Sequence, residues 1–140
     1  MVSKGGVRLE SENARLVREL YEARARDDFE AIRSMLAGDV VWHEPDLGTE
    51  HTGDLHGPDA VLEMIREARS LTDRTFALTP REIVANGEHA VAMIDWSATR
   101  EGKRLEGKEV AVYRIRGGKI SEVSFHQDDQ SKDAEFWESQ

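Results

Sequence analysis

From Ser11 to Arg26 the apolar residues Leu16, Val17, Leu20 and Tyr21 recur at helical spacing and leave arginine and glutamate on the opposite side, which predicts an amphipathic helix. Asp27-Asp28 can cap a second, shorter helix whose Phe29, Ile32, Met35 and Leu36 form one stripe and which ends at Gly38. Val40-Val41-Trp42-His43-Glu44-Pro45-Asp46 then reads as a strand. Asp46 to Gly57, with Gly48 and Gly53 inside it, reads as a loop. Pro58 opens a third helix with Val61, Leu62, Ile65, Ala68 and Leu71 as its buried stripe. Beyond Thr72 the period changes from helical to alternating. Segments near 74–85, 88–100, 104–116 and 119–127 are separated by Asn86-Gly87, Glu101-Gly102 and Gly117-Gly118, which are hairpin signals. Pro80 interrupts a ladder, so its segment is an edge, a bulge or a bend. The predicted fold is α+β in the order α-α-β-α-β-β-β-β, a cone-shaped, curved, mixed/antiparallel sheet packed on three N-terminal helices.

Composition narrows the class. At 140 residues and 39% apolar content the chain suits one domain, expected over 11–130, with a flexible segment at 1–10 and a tail at 131–140. Phe136 and Trp137, isolated among charges in that tail, are expected to anchor it onto the fold or onto a partner subunit. The absence of cysteine excludes disulfides, thiolate-held metals and thiol catalysis. No signal-peptide core and no membrane-length apolar run is present, so a soluble, cytoplasmic protein is expected, with no membrane partner. With 28 acidic and 19 basic residues, a formal charge of -9 opposes nucleic-acid binding. Arginines 15, 18, 24, 26 and 33 are interleaved with acids, as on a solvated helix face.

The most informative chemistry lies in the first strand. Side chains alternate along a strand, so Val40, Trp42 and Glu44 project together. If that face is buried, Glu44 lies beside an indole in low dielectric, and desolvation raises its pKa toward that of a proton shuttle at neutral pH. If it is a strand end, Glu44 is solvated and forms an ordinary ion pair. His43, His51 and His56 with Glu44, Asp46 and Glu50 form the densest group of metal-ligand types, but their spacing fits no metal motif, and no metal is expected. A loop histidine, His51 or His56, can instead swing over a cavity mouth as an acid or donor. Alternation places Ile94, Trp96 and Ala98 on one face, with Glu109, Ala111, Tyr113, Val123, Phe125 and Gln127 facing the same interior. With Trp42 they either fill a core or wall an apolar cavity holding a few convergent polar groups.

The segments Asp27-Asp28-Phe29-Glu30-Ala31-Ile32, Gly38-Asp39-Val40-Val41-Trp42-His43-Glu44-Pro45 and Gly118-Lys119-Ile120-Ser121-Glu122-Val123, in that order of elements, resemble the nuclear transport factor two superfamily. Within it the chain is similar to the SnoaL-like polyketide cyclases and their ketosteroid isomerase relatives, over about Glu12 to Trp137. The resemblance sets Glu44-Pro45 on the Asp-Pro whose aspartate is the proton-transferring base of those isomerases. It sets Leu20 where they carry an oxyanion-hole tyrosine, Ala111 where they carry a protonated aspartate, and Phe125 where cyclases and epoxide hydrolases carry an acid. Tyr21 falls one residue beyond the tyrosine position.

The resulting expectation is a cofactor-independent enzyme of the cyclase or isomerase type acting on a hydrophobic carbonyl compound. Glu44 is its base and Tyr113 or His56 its donor, with Leu20, Trp42, Trp96, Glu109, Ala111, Phe125 and Gln127 around the substrate. The alternative is a non-catalytic protein that binds a small apolar molecule. In relatives the outer sheet face packs on a second subunit, so a homodimer through Met93, Val110 and Val112 is expected.

Overall fold

The computed structural model describes residues 11–44 and 53–138. Ser11 caps α1 (Glu12–Ala25) by accepting from the Ala14 amide at 3.1 Å, and Val17, Leu20 and Tyr21 form its buried stripe. Asp28 caps α2 (Phe29–Met35) in the same way. Asp27 has another task. At φ 56° it turns the chain between the helices. Its carboxylate takes two bonds from Arg69, at 2.9 and 3.0 Å, and one from Arg74 at 3.0 Å. This ties the α1–α2 turn to the end of α3 (Pro58–Leu71).

The remaining elements are β1 (Leu36–Glu44), β2 (Gly53–His56), β3 (Ala77–Ala85), β4 (His89–Arg100), β5 (Lys103–Arg116), β6 (Lys119–Gln127) and α4 (Gln130–Glu138). The six strands form one curved sheet in the order β2-β1-β6-β5-β4-β3, antiparallel except for the parallel β1–β6 pair. The four-strand meander lies where alternation predicts it. Pro80 sits on edge strand β3, beside a register shift between Pro80 and Glu82, so it interrupts no central ladder.

Three features differ from the pattern reading. The second helix stops at Met35 rather than Gly38, because Leu36 already pairs with Ile120 of β6; the register then shifts before Val41. The expected loop up to Gly57 contains β2, whose Leu55 lies opposite Trp42 and is 9% exposed. The expected tail folds as α4, and Phe136 and Trp137 bury themselves against Trp96. Residues 45–52, including His51, Asp46 and Glu50, lie outside the described residues.

The helices cover the inner sheet face. The main core runs from Val17, Leu20 and Ile32 through Trp42, Ile65 and Tyr113 to Val123, and a second cluster of Trp96, Ala98, Phe136 and Trp137 closes one end. On the outer face Met93 is 44% exposed beside its partner Val110, the surface expected to meet a second subunit. No helix among the described residues is long and apolar enough to cross a membrane.

His43 also points outward. Its Nδ1 lies 2.6 Å from Asp54 of β2 and its Nε2 2.7 Å from Glu122 of β6, so one imidazole joins three strands. Hydrogen bonds that the ring donates to Glu122 first, then to Asp54, raise its pKa above 6.5. Because the folded value exceeds the unfolded one, this stabilisation is complete below about 6.5 and disappears as pH rises through the raised folded value. His43→Gln is therefore expected to narrow the stability difference between acidic and alkaline buffers. Equal pH dependence of both proteins in urea unfolding would contradict this.

Candidate functional site

Strand alternation carries Glu44 to the inner face at the end of β1, where Trp42, two residues earlier, donates its indole N–H to Glu44 Oε1 at 2.7 Å. The carboxyl group lies against a cavity of about 60 Å³. Residues one helical turn apart on α3, Met64, Glu67, Ala68 and Leu71, form one wall. Trp96 of β4, Glu109 of β5 and Gln127 of β6 form the floor, and Phe76 and Trp137 close the end. Glu109 and Gln127 are paired across β5 and β6, and the Gln127 amide donates to Glu109 Oε1 at 2.6 Å.

Burial dominates the electrostatics. Desolvation lifts Glu44 to about 7, aided by the nearby Glu109 charge and opposed by the Trp42 hydrogen bond and the Arg24 cation. Glu109 is raised as well, chiefly by burial, against the Gln127 bond and Arg24. Behind the cavity Tyr21 and Tyr113 hydrogen-bond hydroxyl to hydroxyl at 2.7 Å, and burial raises both pKa values.

Arg24 is the residue beside the site that the sequence reading placed elsewhere. It is not on a solvated face. It is 9% exposed, and its guanidinium lies over the Trp42 ring, 5.8 Å from the centroid. The signal was present, because Val17, Leu20, Tyr21 and Arg24 follow the i, i+3, i+4, i+7 spacing of one buried stripe. Arg24 and Tyr21 line a second cleft of about 380 Å³, which shares Phe76 with the cavity.

Trp96 holds its place through Gly107, its partner on β5. A methyl group at Gly107 would fall 2.6 Å from the indole Cε2 and Nε1, so only glycine allows the ring to lie flat over β5. Gly107→Ala is expected to push the indole off its seat and to cost about 1–3 kcal/mol by overpacking. Thermal unfolding measures this, and an unchanged midpoint would show that the ring relocates freely.

A family model described as the SnoaL-like domain matches residues 17–123, most of the chain. The chain belongs to the SnoaL-like family. Structures described as a SnoaL-like polyketide cyclase from Jannaschia, at 11% identity, and a ketosteroid isomerase from Kribbella flavida, at 19%, share its fold. An uncharacterised protein of Mycobacterium tuberculosis is 27% identical over 125 residues, covering 87% of this chain and 93% of its own. The structure of an NTF2-like protein of unknown function from Burkholderia pseudomallei superposes with a TM-score of 0.81 at 30% identity, covering 91% of this chain and 98% of that one. Bal32a, from a soil-derived mobile gene cassette, gives 0.85 at 24% identity over 90% and 96%, and shows the shared fold.

Against this SnoaL-like frame the expected site residues separate. Glu44, Trp96, Glu109 and Gln127 meet at the cavity. Leu20, Trp42, Ala111 and Tyr113 do not line it; all four are fully buried, and they form the core that backs it. Phe125 packs on Trp42 at 5.1 Å and on Tyr113 at 6.5 Å, also behind the wall. Tyr113 does not reach the cavity, and its hydroxyl meets that of Tyr21 behind it. His56 lies away from the cavity. It is exposed on β2, paired with Val41 and adjacent to the inward Leu55, so alternation turns it to the outer face. Among the described residues no group of three or more His, Asp or Glu side chains is arranged to hold a metal ion.

Proposed function

We propose that this SnoaL-like protein catalyses cofactor-independent proton transfer next to a carbonyl group in a hydrophobic compound, with Glu44 as general base. The observation that carries the reading is a cavity-facing carboxyl raised to about 7 and oriented by the Trp42 N–H. Such a group is half ionised near neutrality, the best compromise between having a free base and having a strong one.

The chemistry needs a partner that stabilises the enolate. Glu109 supplies it in this reading, in place of Tyr113. Burial moves its pKa upward, toward the protonated form, and the Gln127 amide holds one oxygen; in the reactive state, with Glu44 ionised, the other Glu109 oxygen carries the proton and donates to the substrate oxygen. Glu44 takes the proton from the carbon next to the carbonyl, and the electron pair of the broken C–H bond moves into the enolate. Glu44 then returns the proton to another carbon, or the enolate carbon attacks an internal carbonyl, forms the ring C–C bond, and the resulting alkoxide takes the proton back from Glu44. The first outcome is isomerisation and the second cyclisation.

The test is deuterium uptake at that carbon when hydrophobic ketones are incubated with the protein in heavy water, followed by NMR. Uptake that vanishes in Glu44→Gln supports the base; equal uptake in both proteins overturns it. The Tyr21–Tyr113 pair favours a second reading, binding without chemistry, because these hydroxyls face each other behind the cavity rather than into it. Ligand-induced stabilisation without deuterium uptake is the result expected from that reading.

A further inference from the structure

We propose that the cleft beside the cavity is an anion site that takes the carboxylate of a hydrophobic acid, with Arg24 as the residue that binds it; this stands whether or not Glu44 acts as a base. The cleft, of about 380 Å³, lies between α1, α3 and the segment that leads into β3. Its charged lining is Arg24, Arg69 and Arg74, and no acid joins them among the described residues. In a chain of formal charge -9 this is a local reversal of sign. Ile65, Phe76 and Leu78 add apolar walls. A few convergent polar groups in an apolar cleft describe a small-molecule site.

Arg24 decides the chemistry. It is 9% exposed, yet its guanidinium makes no hydrogen bond among the described residues and rests on the Trp42 ring at 5.8 Å. A buried arginine is ordinarily paired, because its five N–H donors lose water. The cavity acids feel its charge without taking those donors. Glu44 accepts from Trp42 and Glu109 from Gln127, and Arg24 is the weakest of the influences on Glu44. Its nitrogens are not sealed off; they keep their accessible surface on the cleft that the residue lines. The other two arginines differ. Both donate to Asp27, so one carboxylate stands against two cations and positive charge is left over at the rim. Arg69 also donates to the carbonyls of Arg74 and Phe76, which fixes the rim before a ligand arrives. A planar guanidinium with open N–H edges matches a carboxylate through two parallel bonds. Phe76 lines both spaces, which makes a keto acid the substrate that would join this site to Glu44.

The experiment is calorimetric titration of the full chain with octanoate, with uncharged octanamide and with acetate. Octanoate is expected to bind at least about tenfold more tightly than the amide, and acetate more weakly than octanoate. Arg24→Gln is expected to remove the preference for octanoate while octanamide binds as before. The Arg24 Nε–H resonance reads the same site in the unmodified protein, should the variant not fold: octanoate is expected to move it downfield and octanamide to leave it in place. Equal affinity for octanoate and octanamide, no binding of octanoate, or acetate as tight as octanoate overturns the site. So does a preference that survives in folded Arg24→Gln, or an Arg24 signal that octanoate leaves unmoved. Deuterium exchange through Glu44 is read separately, so either proposal can fail while the other holds.

Discussion

Glu44→Gln is expected to abolish deuterium exchange, a loss of about 10²–10⁴-fold for a positioned base, and at the same time to make the protein more stable in alkaline buffer. The two effects share one cause. Glutamine keeps the shape and the oxygen that accepts from Trp42, so the side chain stays in place. It cannot ionise. In the wild type the folded pKa of about 7 exceeds the ordinary value of 4.5, chiefly through burial. The protonated form therefore stabilises the fold fully below the unfolded pKa, and this contribution is lost as pH rises through the folded value. The full shift corresponds to roughly 3 kcal/mol; allowing for the partial exposure of the residue and the lost attraction to Arg24, about 2 kcal/mol is expected. Urea unfolding should show wild type weakening between 4.5 and about 7 while the variant changes less across that window. A variant less stable than wild type above the transition would show that ionised Glu44 is well compensated, and the argument for a strained base would fall.

The same burial explains why part of this site was legible in the sequence and part was not. Strand alternation alone put Trp42 and Glu44 on one inner face and brought Glu109 and Gln127 toward them, because side-chain direction in a regular ladder depends only on parity. The same parity, applied across β2, would have turned His56 outward, had that four-residue strand been visible among glycines. Arg24 was hidden for another reason. Its charge suggested water, and only its position on the stripe of Val17, Leu20 and Tyr21 revealed burial. Tyr113 faced inward as expected, yet which group its hydroxyl meets depends on the approach of α1, a tertiary fact. Most hidden of all was α4. Nine residues with two adjacent aromatics give no helical period, so the element that brings Trp137 to the cavity and Asp133 toward Glu109 read as a tail.

That element leads to the second large effect, expected for Trp137→Ala. Truncating an enclosed indole costs about 3–5 kcal/mol when the surroundings cannot collapse. Trp137 is 7% exposed and packs edge to face on Phe76 at 5.4 Å and on Phe136 at 5.2 Å. Yet α4 is short and follows the last strand, and a helix below about 12 residues has little stability of its own. What holds it is the packing of Phe136 and Trp137, together with Arg100, which donates to the carbonyl oxygens of both. Losing the indole should therefore release α4 before it unfolds the sheet, and the global loss is capped at the free energy of docking that helix. Hydrogen exchange tests this directly: amides of α4 should lose protection in the variant while those of β4 and β5 keep theirs. If both exchange together, α4 is part of the cooperative core, and entry to the cavity does not pass through it. If α4 alone is released, the cavity opens at the end that Trp137 closes, and docking of that helix controls entry to it.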